Sequence, residues 1–325
     1  MRRLLILGPL VILLLAVIVL GAGYFYVTDR YESAGPLSEP RTVVLPSGDG
    51  ARAIAAQLAK EGVIADERIF LAGLWLGGDA AALKAGEYEF PAGISAKSVA
   101  AKLSKGETVV RKMTFAEGLT SVEIVAQLEA STSFTGDITQ PAEEGTLLPE
   151  TYHYGYGDPR DSILTRMRDG MAKLLKDLWP KRANGLPLET PEEAVILASI
   201  VERETPVAAE RPLVARVFLN RLKLGMPLQS DPTVIYAVSK GMSSLDRALT
   251  RDDLQVDSPF NTYRIKGLPP APIANPGRAS IEAALHPGKT EALYFVADGE
   301  GGHVFAKTLD EHNKNVKRWR QRASN

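Results

Sequence analysis

The sequence predicts an α+β protein: an N-terminal transmembrane helix, small strand–helix modules, then a larger mixed α/β domain. Three observations carry this. Arg2 and Arg3 precede Leu4 to Val27, a stretch without one charged side chain. About 20 apolar residues in a helix cross a bilayer core. A strand–turn–helix pattern then recurs three times between Val43 and Leu128. Beyond Pro149, apolar residues at helical spacing lead to a terminal hairpin pattern.

The anchor is expected at 1–27. Its basic flank places the N-terminus in the cytoplasm and the rest of the chain outside the membrane. Gly21-Ala22-Gly23 runs into Tyr24-Phe25-Tyr26, an aromatic belt suited to the interface. A cleaved signal peptide is the alternative. The apolar stretch is longer than the hydrophobic region of such a peptide, which favours a retained anchor. Residues 28–40 are polar, with two prolines and a glycine, and read as a linker.

Composition excludes several classes. The 38 basic and 39 acidic residues balance, so there is no electrostatic case for nucleic acid. No cysteine is present, which removes disulfides and thiolate metal sites. His153, His286, His303 and His312 show no ligand spacing, so neither a metal nor a cofactor is expected.

The repeat falls within 41–135. Its copies are Val43 to Gly48 with Ile54 to Leu58, Tyr88 to Gly93 with Val99 to Leu103, and Met113 to Gly118 with Ile124 to Leu128. Each reads as a strand, a glycine turn and a helix with apolar residues four apart. Ser95 and Ser121 suit helix starts. The chain turns polar between Asp137 and Pro149, and a second domain is expected over 145–325.

In that domain Ile163, Leu164, Met167, Met171, Leu174, Leu175 and Leu178 define an amphipathic helix ending before Pro180. Thr190-Pro191 starts another, with Thr190 as cap. It runs from Ala194 to about Glu204, and Pro206 stops it. A further helix covers Pro212 to Leu224. Leu293 to Ala297 and His303 to Ala306 flank a glycine-rich turn, a hairpin signal. Asp310 to Arg322 reads as a polar, basic helix.

No nucleophile elbow, P-loop, dinucleotide fingerprint or HExxH motif occurs. The candidate chemistry sits at Glu202-Arg203-Glu204-Thr205, where a nearly apolar helix ends in two carboxylates. Burial raises a carboxyl pKa, and the negative end of the helix dipole acts in the same direction. A carboxyl kept protonated near neutral pH can act as a general acid on a glycosidic bond. On composition alone, a solvated end turn with Arg203 paired to a neighbour is the favoured reading. Gln229-Ser230-Asp231 before Pro232, with Tyr236 beyond, and Asn261-Thr262-Tyr263 could either position a sugar or serve as caps and loop structure.

Taken together, ASIVERET, LNRLKLGMPLQSDPTVIYA, SPFNTYRIKGLPPAPIANPG and ALYFVADGEGGHVFAKTLDEHN occur in order. The chain closely resembles the YceG-like family of membrane-anchored endolytic murein transglycosylases, the MltG type. The resemblance is dense over Ile196 to Asn313 and weak over the linker and Asp137 to Gly145. It implies a LysM-like module before a catalytic transglycosylase domain. It implies cleavage of MurNAc–GlcNAc bonds within peptidoglycan strands, leaving 1,6-anhydro-MurNAc ends and terminating nascent strands. It also implies a bacterial inner-membrane location with a periplasmic catalytic domain. Glycan strands are the implied partner, with membrane peptidoglycan synthases as further candidates.

The family's catalytic glutamate falls within Glu202 to Thr205. Glu204 is chosen because a hydroxyl residue follows it, as in other lytic transglycosylases. Two residues along a helix turn about 200°, so Glu202 and Glu204 point roughly opposite ways. Glu202 stays the alternative, and is grouped with Gln229, Ser230, Asp231, Tyr236, Asn261, Thr262 and Tyr263 as substrate-binding. A non-catalytic peptidoglycan-binding scaffold and a lysozyme-type hydrolase remain rival readings, the second with Asp231 as its second carboxylate.

Overall fold

The computed structural model describes residues 2–77 and 83–323. It is a mixed α+β structure with one long apolar helix at the N-terminus. Helix α1 (Arg2–Glu32) carries a 23-residue segment, Leu10–Glu32, long and apolar enough to cross a membrane. Leu10 to Leu20 point their side chains outward without protein partners, with Leu20 72% exposed. Such an apolar surface is stable against lipid rather than water.

The described residues form two compact units, 1–111 with 153–158 and 112–152 with 159–325. In the first, β1 (Arg41–Leu45) leads to α2 (Ala51–Lys60) and α3 (Glu67–Gly77). Then come β2 (Gly86–Phe90) and α4 (Ala96–Lys105). β1 and β2 pair antiparallel, with Val43 opposite Tyr88 and Leu45 opposite Gly86. The two-residue period turns Val43, Leu45, Tyr88 and Phe90 to one face, where they pack with Ile54, Leu58, Phe70, Leu74, Val99 and Leu103. Ser95 caps α4, accepting from the Ser98 amide at 3.2 Å. Helix α3 has apolar residues on most of its circumference and no clear turn signal, so periodicity did not announce it.

Residues 28–40 are more ordered than a linker. Residues 28–32 continue α1, and Leu37 is buried. The Gly93 amide donates to Leu37 O at 2.8 Å. The Tyr31 ring lies so close to Gly73 of α3 that any side chain there would collide with it.

The second unit holds the third strand–turn–helix copy, β3 (Arg111–Thr114) and α5 (Ser121–Ala130), apart from Arg111 itself. Thr120, not Ser121, caps α5: its side chain meets the Glu123 amide while the Glu123 carboxylate takes the Thr120 amide. After β4 (Thr151–Tyr154) come α6 (Arg160–Leu178), α7 (Pro191–Glu204) and α8 (Arg211–Lys223). Then follow α9 (Asp231–Ser239), α10 (Arg278–Leu285), β5 (Tyr294–Ala297), β6 (His303–Ala306) and α11 (Leu309–Ala323).

Helix α7 is the axis of this unit. Ala194 through Val201 are all buried, as expected of a helix apolar on every side. Helices α8 and α10 pack against it. Ser199, the one polar residue in that run, is satisfied: its Oγ donates to Ile196 O at 2.8 Å and accepts from the Ile273 amide at 3.0 Å. β5 and β6 form an antiparallel hairpin, with Phe295 opposite Phe305.

A fragment beginning at Thr28 keeps the Tyr31 and Leu37 contacts while losing the apolar surface of α1. It should be monodisperse without detergent, as read by light scattering. A fragment beginning at Arg41 should unfold at a lower temperature than the Thr28 fragment. Equal melting temperatures would mean that residues 28–40 contribute no packing.

Candidate active site

The site grows from the carboxyl end of α7. The helix emerges from the core with Glu202, Arg203 and Glu204 in succession, and each side chain takes a different direction. Glu202 turns inward. It accepts from Arg211 Nη2 at 2.7 Å and from the Gly277 amide at 2.9 Å. Its side chain is only 4% exposed. Burial raises its pKa, and the Gly277 amide and Arg211 oppose that rise. Arg211 also binds Glu117 at 3.2 Å, so one guanidinium spans two carboxylates. Gly277 lets Glu117 lie close by, and a Cβ there would make the Glu117 side chain shift.

Arg203 takes another direction, donating to Gly118 O at 3.4 Å and to Ser243 O. Ser243 is held in turn by Glu123, whose Oε1 accepts from its hydroxyl at 2.6 Å and its amide at 3.1 Å.

Glu204 faces a cleft of about 510 Å³. Among the described residues it has a single hydrogen-bond donor, Ser230 Oγ, at 2.9 Å from Oε2. Burial pushes its pKa up to about 7. The Ser230 hydroxyl and the charge of Arg221 oppose the rise, while the charge of Asp231 adds to it. Its position at the negative end of α7 acts in the same direction as burial.

Ser230 is itself fixed. It is fully buried, its amide donates to Thr262 Oγ1 at 3.0 Å, and its carbonyl accepts from Thr233 Oγ1 at 2.7 Å. Gln229 reaches this position with φ at +50°, a left-handed conformation that costs a non-glycine residue roughly 1 kcal/mol or more. The Gln229 amide donates to Thr262 O at 3.0 Å. Thr262 is thus the peg on which 229–230 hangs.

Asp231 and Tyr263 line the same cleft and are joined, the Tyr263 hydroxyl donating to Asp231 Oδ1 at 2.6 Å. Asn261 is fully buried and spent on its own loop. Its amide donates to Leu254 O and Val256 O, and its Oδ1 accepts from the Tyr263 amide. Tyr236 stands apart from the cleft lining, donating to Glu144 at 3.3 Å and lying against Phe260. Of the sequence-derived set, Glu204, Gln229, Asp231 and Tyr263 share the cleft wall, and Ser230 and Thr262 support them from behind. Glu202 and Asn261 spend their polar atoms on protein partners.

Several residues in or near the site escaped the sequence reading. Arg221 lines the cleft with its guanidinium buried, donating to Leu293 O at 2.6 Å and Leu228 O at 2.8 Å, and lying 5.1 Å from the Tyr294 ring. His312 and Trp319 bring α11 into the lining. Glu144 is a second carboxyl pushed up to about 7 by burial, but its oxygens accept from Ser121, Asn275 and Tyr236. Among the described residues, no group of three or more His, Asp or Glu is placed to hold a metal ion.

This geometry offers one near-neutral carboxyl, fixed by a buried hydroxyl, to a ligand in a cleft with hydroxyl, amide and aromatic groups. That is the arrangement of a general acid acting on a polar, ring-containing ligand. Comparison with known proteins gives the same region a lineage. The YceG-like family model matches residues 43–318, and the chain belongs to that family. It is 33% identical to an endolytic murein transglycosylase of Bacillus subtilis (strain 168), over 91% of this chain and 90% of that one. An endolytic murein transglycosylase of Streptococcus pneumoniae (strain D39) is 35% identical over 53% of this chain and 31% of its own. The crystal structure of a yceG-like protein from Listeria monocytogenes is 33% identical. It superposes with a TM-score of 0.50 over 85% of this chain and 99% of that chain.

Two stability effects follow. Arg211→Met leaves the Glu202 carboxylate buried without a cation and should cost about 3 kcal/mol of unfolding free energy at pH 8. The cost should shrink toward pH 5, because burial already raises the Glu202 pKa and protonation removes the unpaired charge. Denaturant titration at both pH values checks this, and equal costs would contradict it.

Glu204 acts in the opposite sense. Its folded pKa of about 7 lies above the unfolded value. Stability is therefore full below the unfolded pKa and is lost as pH rises from there through about 7. Glu204→Gln removes that loss, so it should stabilise the protein at pH 8 by on the order of 2 kcal/mol and have little effect at pH 4. Thermal melts at the two pH values measure the difference.

Proposed function

We propose that this chain is a lytic transglycosylase that cuts peptidoglycan glycan strands internally, with Glu204 as its one catalytic carboxyl. The observation that carries the reading is the state of Glu204: in the cleft, near-neutral in pKa and bonded, among the described residues, to Ser230 alone. Both bacterial relatives are endolytic murein transglycosylases, which supports the substrate class.

The reaction needs only one carboxyl because the sugar carries its own nucleophile. Glu204 gives its proton to the glycosidic oxygen as the C1–O bond of MurNAc breaks and its ring becomes oxocarbenium-like. The C6 hydroxyl oxygen then bonds to C1, and its proton passes to the Glu204 carboxylate. The acid is regenerated, no water is consumed, and the new end is 1,6-anhydro-MurNAc. Ser230 holds the carboxyl in place. Arg221 and the Tyr263–Asp231 pair set the charge around it. Glu202 and Arg203 lock the helix end so that Glu204 alone enters the cleft.

A lysozyme-type hydrolase with Asp231 as second carboxylate is the rival. Asp231 already accepts from Tyr263, and its charge raises the pKa of Glu204. A scaffold that binds glycan without cutting it has no use for a near-neutral carboxyl in its cleft.

Around this centre, the proposal places α1 as a single-pass anchor in the bacterial inner membrane, with its N-terminus cytoplasmic and the enzyme periplasmic. The strand–helix make-up of β1 to α4 supports a LysM-like, glycan-binding role for that region. Internal cleavage beside the membrane would terminate growing strands, which makes peptidoglycan synthases natural neighbours.

Mass spectrometry of sacculi digested by the purified enzyme tests the chemistry. Anhydro ends, lighter by one water than hydrolysed ends, are expected, and Glu204→Gln should give none. Reducing ends would replace the proposal with the hydrolase, and no product with the scaffold. The acid must start protonated, so the rate should fall as pH rises through about 7. An acidic limb that vanishes in Asp231→Asn would contradict the one-carboxyl mechanism.

A further inference from the structure

The C-terminal helix α11 is charged along most of its length, yet it carries one apolar stripe. Leu309, His312, Val316 and Trp319 recur at spacings of three and four, so they share a face. On an ordinary amphipathic helix such a stripe would be buried in the core. Here all four residues line the Glu204 cleft, together with Tyr294, Phe295 and Val296 of β5. The stripe remains open to solvent, with Leu309 54% and Trp319 36% exposed. The helix packs on β5 and β6, so the wall is braced from behind.

His312 supplies a second, independent observation. It lies along the Tyr294 ring, with centroids 5.3 Å apart and planes 26° apart. Its Nδ1 is buried and has no hydrogen-bond partner among the described residues, while the half-buried ring lines the cleft. Burial and the nearby charge of Arg221 lower its pKa, which favours the neutral ring. A neutral imidazole can both donate and accept.

We propose that the α11 stripe is a sugar-binding subsite of this cleft, in which Trp319 meets the apolar face of a pyranose ring and His312 bonds its hydroxyl or N-acetyl group. The occupant is a ring of the same glycan strand that Glu204 engages, because the stripe and Glu204 line one continuous cavity. An amphipathic ring fits an apolar helix stripe interrupted by one polar side chain. The subsite would set how the strand lies across the acid. His312 and Trp319 are therefore binding and positioning residues, and the inference rests on the function proposed above.

The test uses the full chain in detergent, with peptide-free glycan strands as the probe. In a Glu204→Gln background, the strands should bind without being cut. Trp319→Ala and His312→Ala should each weaken that binding about tenfold, and in the active enzyme the loss should fall mainly on KM. Trp319→Phe and His312→Asn should restore most of the affinity, which separates lost contact from lost folding. Lys314→Ala, on the face of α11 turned toward Phe305, should bind as the parent does. Tight binding and unchanged KM in both alanine variants, with wild-type cleavage intact, would overturn the subsite alone. Wild-type enzyme that neither binds nor cuts the strands would overturn the functional reading and this inference with it.

Discussion

The second unit depends on one constraint: an apolar helix through its core must end in charged residues without leaving any of them stranded. Eight successive buried residues of α7 give that helix its depth. The next three cannot all reach water, and a buried charge without a partner is costly. Glu202 is answered by Arg211 and the Gly277 amide, and Arg203 by two carbonyls. Glu204 is given only a hydroxyl. The carboxyl that lacks a full partner is the one that faces the cleft, and its raised pKa is the direct physical result.

The same constraint organises distant parts of the chain. Gly277 leaves room for Glu117 beside it while its amide serves Glu202. Asn275, two residues earlier, clasps Leu119, Ser121 and Glu144 with its side-chain amide, while its Oδ1 accepts from the Leu147 amide. Thr262 and Thr233 exchange hydroxyl contacts behind Ser230. None of these residues touches the cleft as a reactive group. Together they stop the end of α7 from rotating, and a rotation of one residue would move the acid by about 100° around the helix. Arg221 adds a buried cation beside Glu204 without bonding to it, spending its donors mostly on the carbonyls of Leu228 and Leu293.

Much of this was legible in the sequence. The long N-terminal apolar helix, the strand–helix copies, the Thr190-Pro191 start, the hairpin and the gathering of Gln229, Asp231 and Tyr263 near Glu204 all follow from local patterns or ordered motifs. What stayed hidden depends on partners far apart in the chain. Glu202 reads like Glu204 until Arg211 and Gly277, nine and 75 residues away, are seen to take it. Asn261 reads as a sugar-binding amide until its loop carbonyls claim it. The third copy reads like the first two, yet Ser121 and Glu123 bond within the second unit, to Glu144 and Ser243. Helix α11 reads as a basic solvated helix, because a stripe of four residues on a charged background signals packing without saying against what.

The central claim is that Glu204 is held protonated near neutral pH by its surroundings. Carbon-13 NMR of glutamate side-chain carboxyls, with Glu204 assigned by difference against Glu204→Gln, titrates it directly. The account predicts a midpoint at about 7, falling when Asp231 is replaced by Asn because a neighbouring negative charge is removed. A midpoint near the ordinary glutamate value of about 4.3, unmoved by that substitution, would contradict it.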